Sequence, residues 1–334
     1  MTTFRSEVFP DPYPFKLGYP DKILLLGSCF AENIGNKLIE LKFDILSNPL
    51  GIIYNPASVA QSLNFLLSGN PFTENDLEFH NEKWISFNHH GRFSSEYREE
   101  VLTNINNEIE KGFIYLKNAG YLFLTFGTSR VYKYKKNSRI VANCHKLPPE
   151  VFEYYSLTVN DILDLYFTLL EKIHALNPKL KVIFTVSPVR HWKDGATENQ
   201  YSKAVLIVAI REIVNNFKFV SYFPSYELMM DDLRDYRFYD ADLFHPNQIA
   251  IDYIWQKFKS TFICDKAIVI SEKIEKLTKS VQHRVFYPRT EAYMKFLKSN
   301  LSIIDDLQKN YPNLDFSNEK IHFNNEVLKY FGKI

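Results

Sequence analysis

The sequence has few cysteines: Cys29, Cys144 and Cys264 are spread over 334 residues. A disulfide framework or a zinc site needs about four closely grouped ligands, so we expect neither. Long apolar runs are also missing, because none approaches the roughly 20 residues that span a bilayer. Residues 1–7 carry no basic segment followed by an apolar one, so the sequence predicts no signal peptide. We therefore expect a cytoplasmic protein without a membrane span or a metal, whose thiols remain free to react.

The chain also lacks an excess of charge of either sign. Its 40 Lys and Arg residues face 39 Asp and Glu residues, for a formal net charge of +1. This balance provides no electrostatic attraction to nucleic acid, so we expect no nucleic-acid partner. Glycine-rich phosphate loops and internal repeats are absent as well, and we expect no cofactor. A hydrophobic content of 46% is enough for one large core and an appended segment.

Short apolar runs alternate with helical patterns over the first 260 residues. The run at 23–26 ends at Gly27, as a strand buried on both faces does, and residues 31–42 follow at helical spacing. Further apolar runs lie at 43–46, 121–126, 181–186 and 217–223, and further helical patterns near 99–118, 158–176 and 198–215. The alternation predicts an α/β fold with a parallel sheet of about five strands, the first over 22–27, and helices around it.

Two stretches depart from this alternation, and we predict both as hairpin insertions. Apolar and polar side chains alternate within 78–93, and two strand-like runs face each other within 131–142. From Cys264 onward, Lys- and Glu-rich helix formers follow without another strand-like run. We therefore predict a main domain over residues 1–264, with insertions near 78–93 and 131–150, and a helical C-terminal extension over 265–334.

Small, polar or cationic residues follow the apolar runs. Ligands of parallel α/β sheets bind beyond the carboxyl ends of the strands, so these segments are the first candidates for a site. The segments are 27–29, 48–51, 127–129 and 187–191. A thiol at residue 29 would lie at the positive end of the first helix, so we expect a lowered thiol pKa there and backbone N–H groups able to receive an oxyanion.

A histidine with a carboxylate close in sequence is the candidate base. Asp242 precedes His245 by three residues, a spacing that lets the carboxylate fold back on the ring and fix its tautomer. Pro246 then stiffens the start of a helix over 249–258. His89 and His90 lie on the first predicted hairpin without a third ligand nearby, which favours surface histidines over a metal site.

Residues 24–35 read LLLGSCFAENIG and resemble the bacterial GSCFA family, which is named for five of these residues. The similarity covers roughly residues 1–260 and continues through 48–51, 127–128, 141–146, 187–191 and 242–246. The family belongs to the Ser-Gly-Asn-His, or GDSL-like, hydrolase superfamily. The resemblance therefore implies a flavodoxin-like sheet, a catalytic domain over residues 1–264 and an esterase or acyltransferase activity.

The resemblance also assigns the catalytic roles. The superfamily's Gly-Asp-Ser-Phe motif, aligned without a gap, places its aspartate on Ser28 and its serine nucleophile on Cys29. Cys29 is therefore the favoured nucleophile, and Ser28 is the alternative. Asp242 and His245 match the superfamily's terminal Asp-x-x-His without alteration. In this mechanism His245, oriented by Asp242, deprotonates the nucleophile, which attacks an ester carbonyl.

The oxyanion donors match the superfamily less well. The superfamily's oxyanion glycine falls on Gly51, but the asparagine of its Gly-x-Asn-Asp motif falls on Ser129. Asn143, in the second insertion, is a candidate for the missing amide. The predicted oxyanion or substrate ligands are Gly51, Thr128, Ser129, Asn143, His145, Arg190 and His191.

The substrate class and the rival functions follow from these matches and departures. The superfamily suggests a small-molecule ester as substrate, and first of all an O-acylated carbohydrate. Its acyl group would be released by water or transferred to a second hydroxyl. Because Ser28, Cys29 and Ser129 depart from the superfamily motifs, the alternative is a catalytically silent carbohydrate-binding or assembly protein. A nucleotide-binding flavodoxin-like domain would need the glycine-rich loop that the sequence lacks.

Overall fold

The computed structural model describes residues 6–332. Residues 1–5 of the segment that argued against a signal peptide, and residues 333–334 of the predicted extension, lie outside the described residues. The strands are β1 (Lys22–Gly27), β2 (Asp44–Ser47), β3 (Glu78–His80), β4 (Lys83–Ile85), β5 (Tyr121–Phe126), β6 (Arg130–Tyr134), β7 (Arg139–Val141), β8 (Phe152–Ser156), β9 (Lys181–Val186) and β10 (Val220–Tyr222). The helices are α1 (Cys29–Glu40), α2 (Pro56–Ser68), α3 (Arg98–Asn118), α4 (Val159–Leu176), α5 (Gly195–Asn216), α6 (Ser225–Glu227), α7 (Gln248–Phe262), α8 (Asp265–Val281), α9 (Glu291–Asn310) and α10 (Ser317–Phe331). Over residues 6–332, no helix combines the length and apolarity needed to cross a membrane.

Five parallel strands form the central sheet, in the order β2-β1-β5-β9-β10. Numbered along the chain, this is the order 2-1-3-4-5 of flavodoxin-like folds, whose ligands bind where the strand order reverses, between the first and third strands. Here that place lies between the carboxyl ends of β1 and β5. The predicted α/β fold, its parallel sheet and its first strand over 22–27 are confirmed.

Both faces of the sheet are covered, which explains the unbroken apolar run of β1. Successive side chains of a strand point to opposite faces. Ile23 and Leu25 pack in one core with α1 and α7, whereas Leu24 and Leu26 pack in the other core with α2, α3, α4 and α5. A strand with water on one face would need alternating polar residues, so the two-sided burial requires the observed pattern.

The two insertions form small antiparallel sheets beside the central one. β3 and β4 form the predicted hairpin. The second insertion is larger than the predicted hairpin, because β8 joins β6 and β7 in the order β7-β6-β8. The helical C-terminal region is confirmed, and α8, α9 and α10 share a hydrophobic core of their own. The boundary after residue 264 remains a prediction.

The prediction of surface histidines in the first insertion is wrong for His89, which is fully buried. Its ring packs edge-on against Phe72 and Phe93, with centroids 4.8 and 5.4 Å apart, and its Nδ1 lies 2.8 Å from Ser86 Oγ. Burial among these apolar rings lowers the pKa of His89 to about 3. The sequence concealed this, because the fold, and not the local pattern, brings Phe72 and Phe93 onto the His89 ring.

We expect the free energy of unfolding to fall as the pH is lowered from 6.5 toward 3. An unfolded chain protonates His89 near its ordinary pKa of 6.5, whereas the folded protein does so only near 3, so the unfolded state binds the extra proton between these values. This proton contributes a slope of about 1.4 kcal/mol per pH unit. Urea unfolding at pH 7 and pH 5 should show a smaller decrease for His89→Gln, which keeps a polar group for Ser86.

The exposed His283 provides the matched control. His283→Gln should leave the difference between pH 7 and pH 5 as it is in the unaltered protein. An equal pH dependence in His89→Gln and the unaltered protein would show that His89 is not held neutral by the fold.

Candidate active site

The turn between β1 and α1 separates the roles of Ser28 and Cys29. Ser28 is 3% exposed and caps α1, and its Oγ accepts a hydrogen bond of 3.2 Å from the backbone N–H of Phe30. Cys29, the first residue of the helix, is only partly buried. The cap therefore turns the serine side chain inward, while the next residue faces outward.

A cavity of about 210 Å³ at this turn, the Cys29 cavity, brings Cys29 together with His245. Its other walls come from α1, the segment after β9, and α7 with the loop before it. Among the lining residues are Phe30, Val189, Asp240 and Ile254. The structure thus places Cys29 and His245, which are more than 200 residues apart in sequence, on one small cavity.

The carboxylate of Asp242 holds the His245 ring from the side of Nδ1. Asp242 Oδ2 lies 2.6 Å from His245 Nδ1, and Oδ1 accepts the backbone N–H groups of His245 and Phe244 at 3.0 and 2.8 Å. These backbone hydrogen bonds, and then the one from the ring, lower the pKa of Asp242 to about 2. A carboxylate only accepts hydrogen bonds, so Nδ1 carries the ring proton. In the neutral ring Nε2 is then free to accept a proton.

The loop that carries this pair is fixed at both ends. The backbone N–H of Asp240 donates to the carbonyl of His245 at 2.8 Å, and that of Arg190 donates to the carbonyl of Phe244 at 3.1 Å. Asn247 caps α7 through its side chain. The His245 loop is therefore attached to the segment after β9 and to the start of α7, which limits how far the ring can move.

The expected lowering of the Cys29 pKa is wrong, because burial raises the pKa of this thiol. Hydrogen bonds from the backbone N–H groups of Cys29 and Phe30 act in the opposite direction, as does the charge of Lys203. The desolvation of the thiolate outweighs these contributions of the helix start. Cys29 is consequently a protonated thiol at neutral pH, and it needs a base in order to react.

Lys203 is a residue of this region that the sequence analysis missed. It is 1% exposed on α5, and its Nζ donates to the carbonyl of Gly127 at 2.6 Å and to that of Ser187 at 2.7 Å. Burial lowers the pKa of Lys203 to about 7. Lys203 ties together the segments that follow β5 and β9. The sequence does contain a sign of this burial. Lys203 precedes Leu206 by three residues, and this spacing places the lysine on the buried face of α5.

Gly51 contributes a turn instead of the predicted oxyanion donor. Its backbone N–H donates to the carbonyl of Asn48 at 2.8 Å and is therefore already engaged. Its φ is +89°, and a Cβ atom at this position would lie 2.1 Å from His90 Cβ. The glycine is required by the left-handed backbone and by the close approach of His90.

The second predicted oxyanion position, Ser129, is fully buried in a cluster of hydroxyl groups. Its Oγ lies 2.6 Å from Ser156 Oγ, and its backbone N–H donates to Ser202 Oγ at 2.7 Å. Thr128 Oγ1 lies 2.9 Å from the same Ser202 hydroxyl, but Thr128 also lines a second cavity of about 480 Å³. Ser129 therefore supports the turn after β5, and Thr128 is the residue that reaches a cavity.

Asn143 and His145 join the two insertions to each other. The Asn143 side chain accepts the backbone N–H of His145 at 2.9 Å, and His145 Nε2 lies 2.8 Å from the carbonyl of Ser86 in the first insertion. The backbone N–H of Asn143 donates to the carbonyl of Phe87. These contacts engage the side-chain oxygen and backbone N–H of Asn143 and Nε2 of His145, whereas the Asn143 NH₂ group, the predicted oxyanion donor, takes no part in them.

Arg190 and His191 line the second cavity with Thr128. The His191 ring packs on Tyr54, with centroids 5.2 Å apart, and burial lowers the pKa of His191 to about 3. Its Nε2 is buried and has no hydrogen-bond partner among the described residues. His191 is thus a neutral ring at the wall of the cavity, with its Nε2 turned toward Gly127.

Metal ligands are not gathered in this region. Among residues 6–332, no group of three or more His, Cys, Asp or Glu side chains is arranged to hold a metal ion.

Residues 22–258 match the GSCFA family, and residues 274–329 match the GSCFA domain protein, C-terminal domain. A family 3 carbohydrate esterase from Clostridium thermocellum is similar in structure, with a TM-score of 0.34 and 14% identity over 75% of this chain and 97% of the other. A carbohydrate esterase family 3 protein from Talaromyces cellulolyticus has a TM-score of 0.35 and 10% identity over 75% and 98%. With TM-scores this low, neither likeness supports a conclusion about activity. No curated protein matches the chain.

Proposed function

Because this chain belongs to the GSCFA family, we propose that it is a thiol-dependent acyl hydrolase or acyltransferase, with Cys29 as nucleophile and His245 as base. One observation carries the proposal: Cys29 and His245 line one cavity, while Asp242 holds the Nδ1 side of the His245 ring. Nucleophile, base and orienting group are the three parts that covalent acyl transfer requires.

The proposed reaction has two steps. His245 Nε2 takes the proton of the Cys29 thiol as Sγ bonds to the carbonyl carbon of an ester. The same proton passes to the departing alkoxide, and a thioester on Cys29 remains. In the second step His245 takes a proton from water or from an acceptor hydroxyl, whose oxygen attacks the thioester, and the thiol is restored. The raised pKa of Cys29 makes proton removal by His245 a requirement of the first step.

The start of α1 is the proposed oxyanion site. Cys29 is the first residue of α1, and its backbone N–H is the proposed donor, because the N–H groups of Phe30 and Ala31 donate to the side chain and the carbonyl of Ser28. An oxyanion formed on the Cys29 thioester carbon would lie close to this N–H group and to the positive helix end. Because Gly51 and Ser129 have their N–H groups engaged, the helix start replaces the two donors that the superfamily motifs suggested.

The same engaged groups favour the rival function, a catalytically silent carbohydrate-binding or assembly protein. A partly buried thiol with a raised pKa and fewer oxyanion donors is what a fold retained without its chemistry would show. The two functions differ in whether His245 activates Cys29. Reactivity of the thiol therefore separates them without knowledge of the substrate.

The experiment compares the alkylation of the three cysteines by iodoacetamide, followed by mass spectrometry, and adds a fluorophosphonate probe for Ser28. We expect Cys29 to react faster than Cys144 and Cys264, and we expect His245→Ala to slow Cys29 alone. Cys144 and Cys264 serve as internal references, because all three thiols are free and partly buried. An unchanged Cys29 rate in His245→Ala would support the silent protein, and labelling of Ser28 would contradict the thiol mechanism.

For an active enzyme, we expect Asp242→Asn to lower kcat/KM by roughly 10- to 100-fold. The amide keeps an oxygen for the backbone N–H groups of Phe244 and His245, but it presents its NH₂ group to Nδ1 and favours the wrong ring tautomer. Because Asp242 and His245 are exposed to water, we expect a smaller loss in kcat/KM than in an enzyme whose catalytic triad is buried. Hydrolysis of p-nitrophenyl acetate measures the effect.

Asp235→Asn is the matched control. Asp235 also accepts a backbone N–H two residues later, from Arg237 at 2.9 Å, but it contacts no histidine within the described residues. The control should retain full activity. Equal losses in Asp235→Asn and Asp242→Asn would mean that the removal of charge, and not the ring contact, determines the rate.

A further inference from the structure

The second cavity, of about 480 Å³, is large enough for a small-molecule ligand, and we call it the aromatic cavity. Five aromatic side chains line it: Tyr54, Tyr132, Tyr154, Trp192 and Phe244. It adjoins the Cys29 cavity, because Val189 and His245 line the smaller space while their neighbours Arg190 and Phe244 line the larger one. A ligand held in the aromatic cavity therefore lies beside the cavity that Cys29 and His245 line.

The aromatic cavity has flat apolar faces. Trp192 stacks on Phe244, with ring centroids 5.9 Å apart and planes 25° apart, and it remains 39% exposed. Tyr132 and Tyr154 pack on each other in a tilted arrangement, with ring centroids 4.5 Å apart and planes 31° apart. Exposed aromatic rings that are held in place by neighbouring rings offer packing surface at little cost in side-chain entropy. Such faces suit the C–H faces of a sugar ring.

Two cations of this cavity form no close ion pair among the described residues, and the charge of Asp194 acts on one of them, Lys193, only from a greater distance. Arg190 lies over the Trp192 ring, 4.1 Å from its centroid, and the Lys193 ammonium lies 4.6 Å from the centroid of Tyr154. Within residues 6–332, neither forms an ion pair with a contact of 4 Å or less. Their partners are aromatic faces and, for Lys193, the hydroxyl group of Tyr132.

The acid at the cavity wall is already engaged. Asp194 accepts a hydrogen bond of 2.5 Å from the hydroxyl of Tyr154, and it lies 3.8 Å from Arg130, which also pairs with Glu198. Arg130 is thus neutralised by two acids, whereas Arg190 and Lys193 keep their charge for a ligand. His191, on the same wall, is neutral and has a buried Nε2 without a partner among the described residues.

We propose that the aromatic cavity binds a sugar ring that carries an anionic group, which faces Arg190 and Lys193. This inference rests on the proposed function, because it makes the substrate an acylated acidic carbohydrate. A guanidinium recognises a carboxylate or a phosphate through paired hydrogen bonds, and the ammonium adds a point charge. A neutral sugar would cover both cations and offer no opposite charge, at a cost in desolvation.

The experiment measures binding by titration calorimetry to Cys29→Ala, a variant that cannot turn over the ligand. The probes are methyl glucuronide, glucose 6-phosphate, methyl glucoside and ADP. We expect the glucuronide or the phosphate to bind about 10-fold or more tightly than the glucoside, because a hydrogen bond to a charged group is at stake. A preference between the first two probes identifies the anion as a carboxylate or a phosphate.

Variants connect the affinity to the two cations. Arg190→Gln and Lys193→Met, each in the Cys29→Ala background, should each weaken binding of the anionic sugar by about 10-fold. Lys133→Met is the matched control, because Lys133 lies on the same small sheet as Tyr132 and Tyr154 but pairs with Glu153. This variant should bind the anionic sugar with unchanged affinity. Thermal unfolding of each variant verifies that the fold is retained.

Three results would overturn the proposal: equal binding of glucoside and glucuronide, tighter binding of ADP than of any sugar, or no binding of any sugar. Because binding is measured without turnover, its failure is separate from a failure of the proposed function. Hydrolysis of a neutral p-nitrophenyl ester would still test the Cys29 chemistry.

Discussion

Cys29→Ala is expected to abolish turnover, with a loss in kcat/KM of roughly 10⁴-fold or more, or about 5 kcal/mol of transition-state stabilisation. The reason is that the covalent step needs an atom at the position of Sγ, and the thiol of Cys29 lines the same cavity as His245. Cys29→Ser should retain a trace of activity, because a hydroxyl keeps the position but ionises far less readily than a thiol. The measurement is hydrolysis of p-nitrophenyl acetate and of acetylated uronic acids.

Ser28→Ala is the companion variant. It removes the cap of α1, at a cost of about 1 kcal/mol in stability, but leaves the proposed nucleophile in place, so activity should remain measurable. The two variants therefore distinguish a structural serine from a catalytic one. Full activity in Cys29→Ala together with an inactive but folded Ser28→Ala would restore the ordinary serine mechanism.

Gly51→Ala is expected to destabilise the protein by roughly 3–5 kcal/mol, because backbone strain and overpacking add. The φ of +89° disfavours any side chain, and the new Cβ would lie 2.1 Å from His90 Cβ. His90 cannot withdraw easily, because its backbone N–H donates to the carbonyl of Leu50. Urea unfolding followed by circular dichroism measures the loss.

Gly69→Ala separates the two contributions. Gly69 also has a positive φ, of +61°, but a Cβ there would meet Phe113 at ordinary contact distances of 3.6–3.9 Å. Backbone strain alone should then cost about 1–2 kcal/mol. Should Gly51→Ala fail to fold, the added change His90→Gly should recover folded protein by removing the contact. Equal stability of Gly51→Ala and Gly69→Ala would contradict the close approach of His90.

The nucleophile assignment combines both levels of information. The match of the Gly-Asp-Ser-Phe motif to residues 27–30 favoured Cys29 from the sequence, but it left Ser28 as an alternative. The structure adds a physical reason, since Ser28 Oγ is used by the N–H of Phe30 while Cys29 lines the cavity. The role of Cys29 in catalysis remains a prediction until the variants are measured.

The sequence by itself determined the architecture of the central sheet and the pairing of Asp242 with His245. Both depend on local patterns: a strand buried on both faces needs an unbroken apolar run, and a spacing of three residues lets a carboxylate reach a histidine ring. Each of these patterns involves only a few consecutive residues. Both can therefore be recognised in a single sequence.

Only the tertiary structure decided the electrostatics and the accessibility of the site. The raised pKa of Cys29, the buried Lys203, the engaged N–H of Gly51 and the burial of His89 each depend on groups from distant segments. Desolvation and packing act through space, so a helix start that lowers a thiol pKa in water is outweighed when the fold covers the thiol. That is why the sequence predicted a lowered pKa for this thiol, whereas the fold raises it.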